Sequence, residues 1–162
     1  MQKFVYEYAT KVYFGEGAAR EHLAEAVSGY GKNVMLAYGG GSVKKNGIYD
    51  ELKTILENAG KTVTDFSGIM SNPTYAKVQE GAKLAKEQKI DFILAVGGGS
   101  VIDSAKAIGY GVANEGDVWD FYEKRRTAKA CLPIGVVLTI AAAGSEMSDS
   151  SVITKEEGWL KR

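Results

Sequence analysis

The sequence of 162 residues contains one cysteine, one histidine and only two prolines. The single cysteine, Cys131, cannot form a disulfide within the chain, and it is typical of a reducing compartment, so we expect a cytoplasmic protein. The single histidine, His22, excludes a zinc or iron site built from several histidines. It lies in a predicted surface helix, away from the loops that could carry chemistry, which also argues against a Ser-His-Asp triad. We therefore predict no catalytic residue and no metal ligand in this chain.

The sequence also lacks an excess of either charge and any long apolar run. Twenty Lys and Arg residues balance twenty Asp and Glu residues. This balance gives no indication of a nucleic-acid partner. No window approaches the length and apolarity of a membrane span, and the first residues do not form the apolar core of a signal peptide. We therefore expect neither nucleic acid nor a membrane as a partner.

Glycine is abundant, with twenty residues, and the chain has 45% hydrophobic residues, enough for one domain with a sizeable core. Because the glycines cluster at the ends of apolar runs, they indicate tight turns rather than disorder. The pattern G-x-x-x-x-G-K-[ST] is missing, which argues against a P-loop NTPase. The stretch GEGAAR (Gly15–Arg20) only approximates the dinucleotide fingerprint and is interpreted as an ordinary turn from strand to helix.

Apolar runs and amphipathic stretches alternate along the chain. The predicted strands are Phe4–Gly15, Asn33–Tyr38, Lys61–Phe66, Asp91–Val96 and Ile134–Thr139. The predicted helices are Ala18–Ser28, Val43–Asn58, Tyr75–Gln88 and Val101–Ala113. Strands that are apolar throughout are typical of a sheet covered on both faces. The alternation therefore predicts a doubly wound, mostly parallel, Rossmann-like α/β domain.

The five residues GGGSV occur twice, at Gly39–Val43 and Gly97–Val101, each time between a predicted strand and a predicted helix. In an open parallel sheet, ligands bind beyond the carboxyl ends of the strands, and a glycine turn that opens a helix can hold a phosphate there. A purely structural interpretation is also open, because Ser100-x-x-Asp103 resembles a capping box. The flanking segments do not match, so the repeat is not a duplication.

Two longer motifs resemble those of the iron-containing (group III) alcohol dehydrogenases. The segment GGGSVIDSAKAIG (Gly97–Gly109) is similar to that family's G-G-G-S-x-x-D-x-A-K signature, and Leu132–Thr154 is similar to its P-T-T-x-G-T-G-S-E motif. The similarity extends over essentially the whole chain and is greatest to the butanol dehydrogenase branch, whose first nucleotide loop reads Y-G-G-G-S-x-K. The resemblance implies the N-terminal domain of a dehydroquinate synthase-like fold.

The resemblance also implies a cofactor site. The implied cofactor-binding residues are Gly39, Gly40, Gly41, Ser42, Gly97, Gly98, Gly99, Ser100, Asp103, Thr139, Ala142, Ser145 and Lys161. Gly97–Ser100 matches the loop that holds the pyrophosphate, and Asp103 matches a residue near the nicotinamide. Thr139 and the loop Ala141–Ser145 match residues beside the adenine and phosphates, and Lys161 matches a lysine that reaches a ribose.

The first glycine loop, Gly39–Ser42, matches the segment beside the adenosine ribose. Relatives that prefer NAD often carry a carboxylate there for the 2′-hydroxyl, whereas this chain has Gly40 in that place. A loop without a carboxylate, with Lys44 and Lys45 nearby, suits a 2′-phosphate. The resemblance therefore implies NADP in preference to NAD.

The chain departs from the family pattern in two ways. The motif T-x-G-T-G-S-E reads IAAAGSE at Ile140–Glu146, as is typical of the butanol-type branch. The helical second domain, with an aspartate and three histidines for a divalent metal (iron or zinc), is absent, so residues 1–162 are interpreted as the dinucleotide-binding domain alone. The segment Ser150–Arg162 begins like a strand and ends in charged residues without a closing element, as an excised domain would.

The intact relative would transfer hydride between the nicotinamide and a primary alcohol or aldehyde, and we expect this chain alone to be inactive. Two alternatives remain open. One is a relative such as dehydroquinate synthase or glycerol-1-phosphate dehydrogenase, and the other is a stand-alone nucleotide-binding module. The resemblance leaves the oligomeric state open, a homodimer included.

Overall fold

The computed structural model describes residues 9–162, and its centre is a four-stranded parallel sheet. The strands are β1 (Asn33–Tyr38), β2 (Thr62–Phe66), β3 (Phe92–Gly97) and β4 (Ile134–Leu138), in the order β2-β1-β3-β4. Each strand lies within one residue of its predicted bounds. The registers place Tyr38 beside Val96 and Gly97 beside Leu138, so the carboxyl ends of the strands meet at one edge.

Helices cover both faces of this sheet. They are α1 (Ala18–Ala26), α2 (Ser42–Lys45), α3 (Ile48–Asn58), α4 (Tyr75–Glu87), α5 (Gly99–Ala113) and α6 (Trp119–Tyr122). The chain runs from β1 outward to β2 and then returns across β1 to β3. Because crossovers are right-handed, this reversal puts the later helices on the opposite face from α3. The predicted doubly wound α/β fold is confirmed.

Alternate residues of the two central strands enter two different cores. Met35 and Ile93 are fully buried against α4 and α5, whereas Leu36 and Leu94 are buried against α1 and α3. This period of two is the reason that β1 and β3 are apolar throughout, since a strand covered on both faces has no solvent side.

Two predicted elements are wrong. The predicted strand Phe4–Gly15 falls partly outside the described residues, and residues 9–15 form no strand. Val12 and Phe14 in this apolar run are 59% and 100% exposed. The predicted helix Val43–Asn58 is divided into α2 and α3, because Gly47 adopts a left-handed conformation with φ of 79°. Asn46 Oδ1 then accepts a hydrogen bond from Ile48 N (3.3 Å) and helps to start the second helix.

The C-terminal segment does contain a closing element. Strands β5 (Thr154–Lys155) and β6 (Leu160–Lys161) form a short antiparallel hairpin around a single helical turn. Thr154 N donates to Pro73 O (2.8 Å), so the hairpin is attached to the loop that follows β2. The expectation of an unclosed end is therefore wrong. None of the helices in residues 9–162 is long and apolar enough to span a membrane.

Candidate functional site

The two GGGSV turns lie side by side at the edge where the strands end. They follow β1 and β3, which pair directly. A Cβ atom added to Gly39 would lie 3.9 Å from Val101 Cγ2, so the turns are in contact. The sheet order reverses between these two strands, which makes this position the topological switch point of the fold. Nucleotides bind at that point in doubly wound proteins.

The second turn presents free backbone donors. The first hydrogen bonds of α5 run from Val101 N and Ile102 N to Gly98 O (3.0 and 3.2 Å). The N–H groups of Gly99 and Ser100 precede these bonds and remain available to an anion at the positive end of a 15-residue helix.

The interpretation of Ser100-x-x-Asp103 as a capping box is wrong. The N-cap of α5 is Gly98, which makes no side-chain cap, and Ser100 lies inside the helix. The carboxylate of Asp103 is directed to another segment, where Oδ1 accepts from Ser145 Oγ (2.5 Å) and Oδ2 accepts from Val152 N (3.1 Å). Asp103 therefore connects α5 to the loop that follows β4.

Two side chains, Val101 and Ile140, pack closely against the backbone of the second turn. A Cβ on Gly97 would lie 2.7 Å from Val101 Cγ2, and a Cβ on Gly98 would lie 3.1 Å from Ile140 Cγ2. The Gly97 distance is shorter than any ordinary van der Waals contact, and the buried valine has little freedom to move away. Glycine is therefore required there by packing. This closeness fits a backbone cradle for a pyrophosphate.

The first turn differs in its surroundings. Gly40 and Gly41 are exposed, and an added Cβ at either position would meet nothing within 4 Å. The helix that follows, α2, has only four residues and therefore a small dipole. The ammonium of Lys44 lies 4.6 Å from the centre of the Tyr49 ring and 5.4 Å from that of Tyr38. This turn is tight at Gly39, where a Cβ would lie 3.1 Å from Ile69 O, and open at Gly40 and Gly41, and its positive charge comes from lysines rather than from a long helix.

The loop after β4 lies against the second turn. Thr139 N donates to Gly97 O (3.1 Å), and the exposed residue Ala142 follows in the same loop. A left-handed residue, Gly144 (φ 75°), then begins a single helical turn at Ser145. A Cβ on Gly99 would lie 4.0 Å from Ser145 Cβ. The fold therefore brings Thr139 and Ser145 to the second glycine turn.

Lys161 reaches the same edge through the C-terminal hairpin. Its Nζ donates to Asn72 Oδ1 (3.2 Å), and Asn72 has a left-handed φ of 58°. The loop that contains Asn72 also contacts the first turn, since Gly68 N donates to Gly39 O (2.9 Å). Sequence reasoning interpreted Ser71–Thr74 only as a turn and a helix start, and it missed this contact between Asn72 and Lys161.

The most notable residue that sequence reasoning missed is Lys106. Ser104 and Lys106 are polar residues in the middle of α5, yet they are only 0% and 7% exposed. Burial lowers the pKa of the Lys106 ammonium, and the carboxylate of Asp103 acts in the opposite direction. The small residues Ala105, Ala107 and Gly109 were the available signal, because they let neighbouring segments approach α5 on all sides.

His22 lies on the surface, as predicted. Its side chain is 40% exposed, and its ring stacks on Tyr13 with 4.5 Å between centroids. Within residues 9–162, no three His, Cys, Asp or Glu side chains come together in a way that could hold a metal ion.

Comparison with known proteins gives a family match and several relatives. Residues 9–162 match the model of a family described as iron-containing alcohol dehydrogenase. The probable NADH-dependent butanol dehydrogenase 2 of Bacillus subtilis is 52% identical over 157 residues, which are 97% of this chain and 40% of that protein. The NADPH-dependent aldehyde reductase YqhD of Escherichia coli is 39% identical over 96% of this chain and 40% of its own length.

Solved structures agree. The crystal structure of NADH-dependent butanol dehydrogenase A from Thermotoga maritima aligns with a TM-score of 0.94 at 42% identity, over 99% of this chain and 40% of that one. The crystal structure of YqhD from Escherichia coli aligns with a TM-score of 0.90 at 36% identity. The chain thus spans about 40% of the length of the relatives that it matches.

Proposed function

The chain belongs to the iron-containing alcohol dehydrogenase family, and on that premise we propose that residues 1–162 bind the dinucleotide of an NAD(P)-linked alcohol dehydrogenase or aldehyde reductase. The family match confirms the resemblance inferred from the motifs and favours it over dehydroquinate synthase. The observation that carries the proposal is the pair of glycine turns in contact at the switch point of the sheet. No other place in the fold combines this topology with free helix donors among the described residues.

We assign the pyrophosphate to Gly97–Ser100. The N–H groups of Gly99 and Ser100 are not used in the first bonds of α5 and can donate to phosphate oxygens. Ser145 borders this space on the side of the following loop. Asp103, one turn into α5, stays assigned to the nicotinamide end, where its carboxylate orients Ser145 and Val152 rather than being free for other partners.

We assign the adenosine ribose to the first turn, Gly39–Ser42, and to Lys161, and we assign the adenine and the adjoining phosphates to Thr139 and Ala142 in the loop after β4. The exposed glycines leave room for a ribose to approach the backbone. The hydrogen bond from Gly68 N to Gly39 O connects this turn to the loop that holds Lys161. A ribose between these two segments would have backbone donors on one side and an ammonium on the other.

NADP is proposed in preference to NAD. The support is chemical, because Gly40 offers no carboxylate to repel a 2′-phosphate, and Lys44 and Lys45 supply positive charge. The ammonium of Lys44 is placed over two aromatic rings, so Lys45 is the lysine that we assign to the phosphate. Relatives with names that specify NADH and others with names that specify NADPH both match this chain, which makes the cofactor preference the first point to test.

The substrate that we propose for the whole protein is a primary alcohol or aldehyde. A divalent metal, iron or zinc, would supply the polarisation of the substrate oxygen, while hydride passes between the carbinol carbon and the nicotinamide. We propose that the ligands of this metal lie in a helical second domain that is absent from these 162 residues. The part played by this chain is to bind the dinucleotide and to orient its nicotinamide.

A fluorescence titration of the 162-residue chain with NADPH and NADH tests the binding proposal. We expect saturable binding of the nucleotide, with NADPH bound more tightly than NADH. Absence of binding for both would overturn the proposed function. Equal or tighter binding of NADH would overturn only the interpretation of Gly40 and Lys45.

A second assay tests whether this chain has activity of its own. We expect no oxidation of butanol by the purified chain in the presence of NADP or NAD and added Fe²⁺ or Zn²⁺. Turnover that depends on the metal would overturn the assignment of the metal ligands to another domain. The variant Gly97→Ala, which we expect to bind the nucleotide poorly, controls for contaminating dehydrogenases.

A further inference from the structure

One face of α5 carries three polar side chains that all bond to the same irregular segment. Asp103, Lys106 and Tyr110 are spaced three and four residues apart, so they lie in one row along the helix. Their partners lie within residues 145–152, which contain only a single helical turn at Ser145–Met147. Since this segment has little regular structure, side-chain bonds rather than a backbone ladder determine its path.

Lys106 makes the largest number of these bonds. Its Nζ donates to Ser145 O (2.6 Å), Ser145 Oγ (3.1 Å) and Ser150 O (2.8 Å). These three acceptors use all three donors of an ammonium. A lysine that is only 7% exposed is rare in proteins, and the full set of partners explains how it is accommodated.

The hydroxyl of Ser145 is held from two directions. It accepts from Lys106 Nζ and donates to Asp103 Oδ1 (2.5 Å). The other carboxylate oxygen of Asp103 accepts from Val152 N (3.1 Å), and Tyr110 OH donates to Asp149 O (2.6 Å). Both ends of the segment are therefore attached to α5. Asp103 and Lys106 each bond to both halves, with two hydrogen bonds from Asp103 and three from Lys106, whereas Tyr110 makes a single bond to Asp149 O.

This attachment matters because of what lies next to Ser145. The Cβ of Ser145 lies 4.0 Å from the position of a Cβ on Gly99, at the start of α5. Gly99 supplies one of the free N–H groups of the second glycine turn. A displacement of Ser145 would change the width of the space between Ser145 and these N–H groups. It would leave the first glycine turn in place, because that turn contacts Val101 and not Ser145.

We propose that Lys106 is a positioning residue that holds Ser145 beside Gly99 and so preforms the pyrophosphate and nicotinamide side of the cofactor site. The inference rests on the proposed function, since it concerns the same site. Lys106 does not touch the nucleotide in this scheme and acts through Ser145. It supplies the rigidity that a phosphate cradle needs when the neighbouring loop has no secondary structure.

The test is the variant Lys106→Met in the 162-residue chain, which keeps most of the side-chain volume and removes the three donors. Dissociation constants are measured for NADPH by fluorescence and for adenosine 2′-phosphate by calorimetry. We expect NADPH to bind about tenfold more weakly and adenosine 2′-phosphate to change by less than about twofold, because in our assignment the latter has no phosphate beside Gly99 and Ser145.

Each outcome of this test has a distinct meaning. An equal loss for the two ligands would indicate general destabilisation and overturn the positioning role, and so would unchanged NADPH binding. A wild-type chain that binds neither ligand would overturn the proposed function itself, and the inference with it. The different response of the two ligands is the readout that a merely structural role for Lys106 would not produce.

Tyr110→Phe is the matched control. It removes one hydrogen bond from the same row, to Asp149 O, but leaves all three bonds to Ser145 in place, so we expect NADPH binding within about twofold of wild type. If Tyr110→Phe weakened NADPH binding as much as Lys106→Met does, the loss of any hydrogen bond to the segment would have the same effect. That result would overturn the special role of Lys106. If Lys106→Met does not fold, Lys106→Gln keeps an amide donor, and we expect it to show the same selective loss for NADPH with a smaller amplitude.

Discussion

The two GGGSV turns have the same five residues and the same place at a strand end, but they lie in different surroundings. Their valines, Val43 and Val101, are 5% and 6% exposed, so each turn is anchored in a core in the same way. The helices that follow have four and fifteen residues. The second turn is crowded by Val101 and Ile140, whereas Gly40 and Gly41 of the first turn face open space.

This difference teaches that the pattern codes for a local conformation, and the neighbours decide what the conformation can hold. A crowded turn at the start of a long helix has fixed donors and a strong dipole, which suits a constant group such as a pyrophosphate. An open turn before a short helix suits a group that differs between cofactors. The 2′ substituent of the ribose is such a group, because it is a hydroxyl in NAD and a phosphate in NADP.

The largest effect is expected for Gly97→Ala. The added Cβ would lie 2.7 Å from Val101 Cγ2, so either the turn or the helix must shift. We expect a loss of about 1–3 kcal/mol in the free energy of unfolding, from overpacking, and NADPH binding weaker by at least about tenfold. Thermal melting and a fluorescence titration measure the two effects.

Two further variants sharpen that result. In Gly97→Ala with Val101→Ala, the contact with Cγ2 is removed and the Val101 Cβ at 3.0 Å remains, so we expect NADPH affinity to recover partly. Gly29→Ala, in open space before β1, controls for the general effect of removing a glycine. Wild-type affinity in Gly97→Ala would mean that the second turn is not a close-fitting cradle, and the distinction between the two turns would fail.

A selective effect is expected for Gly40→Asp in the first turn. The new carboxylate has room, since nothing lies within 4 Å of a Cβ there, and it would repel a 2′-phosphate but accept a hydrogen bond from a 2′-hydroxyl. We expect NADPH to bind about tenfold more weakly, with NADH unchanged or tighter. Titrations with the two nucleotides measure the change in preference.

Gly40→Asn is the control for Gly40→Asp, because it has nearly the same size without the charge. We expect it to change the preference much less. If Gly40→Asp weakens both nucleotides equally, the first turn does not lie beside the 2′ position, and the assignment of Gly39–Ser42 is wrong.

The smallest effect is expected for Lys45→Ala. One exposed ammonium near a phosphate contributes about 0.5–1 kcal/mol, so we expect NADPH affinity to fall by a factor of about two to five, and less at high salt, with NADH unaffected. Lys83→Ala is the control, because Lys83 is 80% exposed on α4 and pairs only with Glu87. Equal weakening in the two lysine variants would attribute the effect to net charge.

The sheet could be predicted from the sequence almost completely. The four strands of the parallel sheet lie within one residue of their predicted bounds, because each is a short apolar run that ends in glycine or polar residues. The position of both glycine turns at the carboxyl edge followed from the same pattern. Their direct contact required the strand order, which no local signal carries.

The predictions that failed depended on contacts between distant segments. The apolar run before Gly15 suggested a strand, but residues 9–15 pair with no strand in the described part of the chain. The capping box at Ser100 was locally reasonable, yet Asp103 bonds to Ser145, 42 residues away. A short-range pattern cannot show that a side chain has a better partner elsewhere in the chain.

The class of the fold could be inferred from the amino-acid sequence, because burial and turn chemistry are local properties of apolar runs and glycines. The family was indicated by its motifs, and the nucleotide is proposed to bind at the two glycine turns that the sequence pointed to. The surroundings of the two turns became visible only in the tertiary structure, which shows crowding at Gly97 and Gly98 and open space at Gly40 and Gly41. The same is true of Lys106, which is buried and bonded to Ser145. These features depend on how α5 packs against the loop after β4. Steric exclusion and the need to satisfy every buried donor operate in three dimensions, so they distinguish two identical runs of five residues.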